Sequence, residues 1–146
     1  MFNNVSNICI AVNNLADAVK IFTDVYGLEC LRASTIPALQ RKSAVFRIGD
    51  CGIELQEPLD RNSGRLAQHL RERGEGLFMV EFKVDNAELE MNALQAKGVQ
   101  FLDPNVDGYE AWRRKGHKYL IPRQPKTCGA QLSIVEKGSS FVPGLP

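Results

Sequence analysis

Val12-Asn13-Asn14-Leu15-Ala16-Asp17 and Val84-Asp85-Asn86-Ala87-Glu88-Leu89 align at an offset of 72 residues in a chain of 146. Each segment closes an apolar, strand-like run, residues 8–12 and 78–84. Each then opens a helix of about three turns that stops at a glycine, Gly27 or Gly98. A polar cap followed by an acid three positions on is predicted at both starts, Asn14 with Asp17 and Asp85 with Glu88. The glycines suit the left-handed position that ends a helix. Leu15, Ala18, Val19, Phe22 and Tyr26 recur at helical spacing, as do Leu89, Ala93 and Ala96. A period of half the chain implies a duplicated module.

Working outward, short strand-like runs follow each helix: residues 28–33, 43–48 and 53–56 in the first half, and 99–102, 117–121 and 131–135 in the second. Each half reads β-α-β-β-β. Residues 62–73 between them predict a connecting helix, capped by Asn62 or Ser63, with Leu66 and Leu70 on its buried stripe and His69 at the surface. Gly49-Asp50-Cys51-Gly52 marks a turn. A four-residue loop there sets Arg47 opposite Glu54 and Val45 opposite Gln56. Side chains alternate along a strand, so Phe46, Ile48, Ile53 and Leu55 share an apolar face while Arg47, Glu54 and Gln56 share the other. Asn7, Cys9 and Ala11 oppose Ile8, Ile10 and Val12, and Met79, Glu81 and Lys83 oppose Phe78, Val80, Phe82 and Val84. Two such sheets curling together would enclose a cleft lined by the polar set.

Composition narrows the classes. Hydrophobic residues at 44% and charged residues at 24% are ordinary for a folded domain and exclude intrinsic disorder. The apolar runs are too short to span a membrane, and no basic-then-apolar leader opens the chain. A net charge of +1 argues against nucleic acid as a partner. A cytoplasmic domain is expected. Cys9, Cys30, Cys51 and Cys128 show no zinc spacing and read as free, mostly buried thiols.

The repeated modules resemble the vicinal oxygen chelate superfamily, which includes glyoxalase I, extradiol dioxygenases and bleomycin-resistance proteins, and within it methylmalonyl-CoA epimerase-like proteins. The resemblance is carried by Ile8-Cys9-Ile10-Ala11-Val12, Gly52-Ile53-Glu54-Leu55-Gln56-Glu57-Pro58-Leu59, Arg73-Gly74-Glu75-Gly76-Leu77, Lys97-Gly98-Val99-Gln100 and Pro125-Lys126-Thr127-Cys128-Gly129. It spans about residues 5–137. It implies an α+β fold in which two βαβββ modules, residues 5–58 and 77–137, form a curled mixed sheet around a cleft, as one domain over residues 1–146. Residues 138–146 form a tail.

Enzymes of that superfamily hold one divalent metal with four side chains. The resemblance places those positions at Asn7, Glu54, Met79 and Ile134. One acidic ligand remains, and neither methionine nor isoleucine replaces an oxygen or nitrogen donor. A site without metal or other cofactor is therefore expected, and the metal-stabilised enolate mechanism is lost with it.

Glu54 and Arg47 form either a structural ion pair or a general base beside an anion-holding arginine. These roles compete, because the arginine depresses the pKa a base needs. Glu81 is a second base candidate if its strand keeps it inside; with enough twist, Glu81 and Lys83 reach solvent instead. Tyr109, Trp112 and His117 could cover an aromatic or acyl ligand, with Arg113, Arg114 and Lys115 meeting a phosphate or carboxylate; otherwise they form a basic surface loop. Cys9, Gln56 and Met79 join the ligand-lining set. The tail is either a free end or an arm packing on a second subunit of a homodimer.

Three functions follow. The first is a metal-independent isomerase, epimerase or lyase acting on a small carbonyl or acyl compound, with Glu54 or Glu81 as base and Arg47 and His117 as electrostatic partners. The second is a non-catalytic binding protein of the bleomycin-resistance type. The third is a metalloenzyme with ligands drawn from Glu54, Glu81 and His117.

Overall fold

A computed structural model describes residues 1–102, 119–123 and 127–139. Strand β1 (Phe2–Ala11) leads through Asn14 into helix α1 (Leu15–Lys20), which widens into a π-turn over Ile21–Val25. Strands β2 (Arg32–Ile36), β3 (Arg41–Ile48) and β4 (Cys51–Pro58) follow, then helix α2 (Gly64–Arg73). The second half runs through β5 (Gly76–Val84), α3 (Ala87–Gln95), β6 (Tyr119–Leu120) and β7 (Leu132–Glu136). None of the described helices is long and apolar enough to cross a membrane.

The 72-residue offset is written into the backbone. Asn14 (φ −137°, ψ 109°) accepts from the Asp17 amide and caps α1. Asn86 (φ −140°, ψ 111°) accepts from the Leu89 amide and caps α3. The second cap is thus Asn86, not Asp85, whose carboxylate instead accepts from Asn3 Nδ2 at 2.9 Å. An asparagine side chain reaches the third amide of its helix from extended backbone, and both starts use that device. After the first helix, Gly27 takes the left-handed conformation (φ 67°) and the Leu28 amide bonds back to the Phe22 carbonyl.

The chain divides into two compact units, Asn7–Phe78 and Met1–Ser6 with Met79–Pro146. The first holds β2, β3, β4 and the second half of β1 in that order. β2–β3 and β3–β4 pair antiparallel, and β4 pairs parallel with β1. In the second unit β5 pairs parallel with β7, and β6 pairs antiparallel with β7. The opening strand of each module therefore lies parallel to its closing strand. In the second module residues 99–102 contribute a single bridge, Phe101 to Pro122, where a strand was expected.

One core packs α1 on its sheet through Val12, Leu15, Ala18, Ala44, Phe46 and Leu55, with Phe22 against Phe46 at a ring separation of 5.4 Å. Burying a side chain such as Phe46 contributes about 1.5–3 kcal/mol. The other core joins Val84, Ala87 and Ile134, with Leu94, Phe101 and Leu120 against it. The buried stripe of α3 runs through Ala87 and Leu94, and Leu89 is 68% exposed. Capping by Asn86 makes Ala87 the first helical residue and turns Leu89 outward, contrary to the sequence pattern.

On α2 the buried residues are Ala67 and His69, not the expected Leu66 and Leu70. His69 is withdrawn from the surface by Phe78, which it meets edge-on at 5.2 Å. Burial, then the nearby Arg73, lowers its pKa below the ordinary 6.5. All four cysteines are free, but only Cys9 is buried.

Candidate functional site

The strand pairings build two buried polar faces, one in each unit, each around one carboxylate. Glu54, on β4, is 2% exposed. Its neighbour across the parallel pair is Cys9, and across the hairpin it faces Val45. Arg41 Nη2 meets Glu54 Oε1 at 3.0 Å, and Ser43 Oγ donates to the same oxygen at 2.5 Å. Asn7 Nδ2 donates to Oε2 at 3.0 Å, and Cys9 Sγ lies 3.6 Å from it. Burial is the largest single influence on this carboxyl and pushes its pKa up. Arg41 foremost, with hydrogen bonding from Ser43 and Asn7 and the nearby amide of Gln56, outweighs it and holds the pKa below the ordinary 4.5. Gln56 acts here by proximity, since its amide meets no partner at hydrogen-bond geometry.

Arg47 does not take part. The hairpin loop is two residues, with Gly49 at φ 58°, so Arg47 faces Gly52 rather than Glu54. A glycine first in a two-residue turn is a favoured hairpin connection. Arg47 is exposed, bonds the Gly49 carbonyl at 2.7 Å and lies 3.6 Å from Asp50. Because the register differs from expectation by two residues, the faces are preserved and only the arginine changes. Arg41 and Ser43 thus belong to this face by the same alternation that puts Arg47 there. A two-residue reading of Gly49-Asp50 would have pointed to them.

In the second unit Glu81, on β5, is fully buried, and Lys83 is 7% exposed, so the strand does not carry them to solvent. Ser6 Oγ donates to Glu81 Oε1 at 2.7 Å. Ser133 lies directly across the parallel pair from Glu81, and Val135 across from Lys83. The Ser133 hydroxyl is buried and has no hydrogen-bond partner. Ile134, by contrast, packs in the helix-facing core with Val84 and Ala87. The β7 position sharing the polar face is Ser133, one residue before the one expected, and a one-residue slip inverts the face. Met79, two residues before Glu81, is half-buried. Tyr109, Trp112, Arg113 and His117 lie outside the described residues, as does the tail beyond Ser139.

These residues do not fit a divalent cation. The Glu54 oxygens already receive a guanidinium, a hydroxyl and an amide N–H, which are donors arranged for an anion and not metal ligands. At the other implied positions, Asn7 turns its Nδ2 toward Glu54, Met79 is a thioether and β7 supplies Ser133 or Ile134. Among the described residues, no group of three or more His, Cys, Asp or Glu side chains is placed to hold a metal.

The sequence profile of the Glyoxalase/Bleomycin resistance protein/Dioxygenase superfamily matches residues 6–120. The chain belongs to that superfamily. An uncharacterized protein of Bacillus subtilis (strain 168), YqjC, is 31% identical over 134 residues, covering 92% of both chains. Among solved structures, the hypothetical protein BH1468 from Bacillus halodurans C-125 superposes with a TM-score of 0.77 at 25% identity, over 92% of this chain and 94% of that one. A Streptomyces coelicolor methylmalonyl-CoA epimerase in complex with 2-nitronate-propionyl-CoA gives a TM-score of 0.78 at 19% identity, over 93% and 98%. The Mycobacterium tuberculosis methylmalonyl-CoA epimerase gives 0.76 at 18%, over 92% and 88%. The glyoxalase-like α+β fold is shared with these solved structures.

Proposed function

We propose that this superfamily member is an isomerase-type enzyme, an epimerase or a related lyase, that moves a proton next to the carbonyl of a small acyl compound without a bound metal. The observation that carries this reading is a second, fully buried carboxylate, Glu81, in addition to the ion-paired Glu54. Glu54 is neutralised by Arg41 at 3.0 Å and hydrogen-bonded from Ser43 and Asn7, which makes it a poor base. Glu81 is fully buried, beside the Ser6 hydroxyl and across from the unpartnered Ser133. A carboxylate in such surroundings suits general-base chemistry. In this mechanism Glu81 takes the proton α to the carbonyl and redelivers it to the planar enolate; epimerisation follows when the enolate turns to present its other face. Ser6, donating to the carboxylate, holds it in one orientation. Likeness in fold to epimerases that bind acyl-CoA ligands makes acyl-CoA thioesters the first compounds to offer.

The test is incorporation of solvent deuterium at the α-carbon of a panel of acyl-CoA thioesters, methylmalonyl-CoA among them, with and without EDTA. Exchange unaffected by chelator is expected. Exchange abolished by chelator and restored by one metal would remove the metal-free mechanism. Tight binding with no exchange would make the protein a sequestering one.

A further inference from the structure

Gln56 lies on the same face of β4 as Glu54 and is 0% exposed, yet neither its Nε2 nor its Oε1 has a hydrogen-bond partner. Asn7 Oδ1, on β1, is also buried and unpartnered, although its Nδ2 is spent on Glu54. Leaving buried amide groups unpaired is destabilising, and native folds do so rarely outside functional sites. The parallel register sets Ala11 beside Gln56, Cys9 beside Glu54 and Asn7 beside Gly52. Gln56 and Asn7 therefore flank the carboxylate on either side.

The chemistry of the missing partner follows from what these groups offer. Gln56 presents one donor-bearing nitrogen and one acceptor oxygen from a single planar amide. A carboxylate or phosphate brings acceptors only and leaves Oε1 unmet. It would also approach Glu54, whose guanidinium neighbour Arg41 is already engaged. An uncharged carboxamide brings a donor and an acceptor side by side.

We propose that Gln56 is a specificity-determining residue that receives an uncharged amide group of the ligand, with Asn7 Oδ1 accepting from a second ligand N–H or O–H. The inference rests on the reading of this face as part of a small-molecule site, and it needs no turnover. It also explains why an enzyme-like fold would keep a polar pair where an apolar one packs better: binding is favoured at the expense of stability.

The probes are propionamide and its near-isostere propionate, titrated into the full-length protein and followed by the side-chain NH2 signals of Gln56 in 1H–15N spectra. Those signals are identified by their loss in Gln56→Met. Propionamide should shift them saturably, with propionate at least tenfold weaker. Gln56→Met, which removes an unsatisfied amide, should raise Tm by about 3 °C and abolish the propionamide response elsewhere on this face. Equal responses to the two probes, or no response to either, would overturn the proposal. So would a Gln56→Met variant with lowered Tm, which would mean the amide is held by a structural water. Failure of deuterium exchange with the propionamide response intact would sink the enzyme reading alone, and the converse would sink this one alone.

Discussion

Glu54 and Glu81 are buried carboxylates on interior strands of the two units, and they are surrounded in different ways. Around Glu54 the chain has gathered a guanidinium, a hydroxyl and an amide N–H, all within 3.0 Å. Around Glu81 it has placed Ser6 at 2.7 Å and left the facing Ser133 hydroxyl without a partner. The two acids stand on different strands of the repeat, Glu54 on the closing strand β4 and Glu81 on the opening strand β5. One is an anion held by an internal ion pair, and the other is the base of the proposed function.

The sharpest way to break this contrast is to replace each acid by its amide. Glu81→Gln should lower deuterium exchange by about 10³-fold while the fold remains intact in far-UV circular dichroism. Retained exchange would end its role as base. Glu54→Gln should instead act on stability, lowering it by about 3 kcal/mol, because Arg41, 12% exposed, loses the carboxylate it meets at 3.0 Å. The double variant Glu54→Gln with Arg41→Met should recover most of that loss in denaturant titrations. A double variant no better than the single one would show that the pair does not act as a unit.

The same contrast has a pH signature. Glu54 has a folded-state pKa below its ordinary value, so its contribution to stability is present above about pH 4.5 and is lost as pH falls through the folded pKa. The stability gap between wild type and Glu54→Gln should therefore be constant near neutrality and narrow in acid. A gap that widens in acid would reverse the assignment. The smallest expected effects test the repeat itself. Asn14→Ala and Asn86→Ala should each cost about 1 kcal/mol, and together should add to within about 0.5 kcal/mol.

Much of this organisation is legible in the residues. The 72-residue offset is seen in the aligned runs, and the structure repeats it in the dihedral angles of Asn14 and Asn86. Strand alternation also places Glu54 with Cys9 and Asn7, because side-chain direction follows from parity alone. Register is harder, since it depends on where a turn begins and ends. Reading four loop residues for two left Glu54 on its correct face but paired it with Arg47 instead of Arg41. On β7 a slip of one residue was enough to name Ile134, a core side chain, in place of Ser133. The cap of α3 is Asn86, one residue past the expected Asp85, and the shift turns Leu89 out of the buried stripe. The burial of His69 comes from Phe78 on the next strand, β5, which helical periodicity does not reveal.

The central claim is that Glu54 is a locked anion and not the working base. It is tested most directly by a pH titration of the glutamate side-chain carboxyl carbons by 13C NMR, with Glu54 assigned from the Glu54→Gln variant. Glu54 should titrate below its ordinary value of 4.5 and move toward it when Arg41 is replaced by methionine and one opposing charge is gone. A Glu54 that titrates near neutral pH, where a general base is tuned to work, would contradict it.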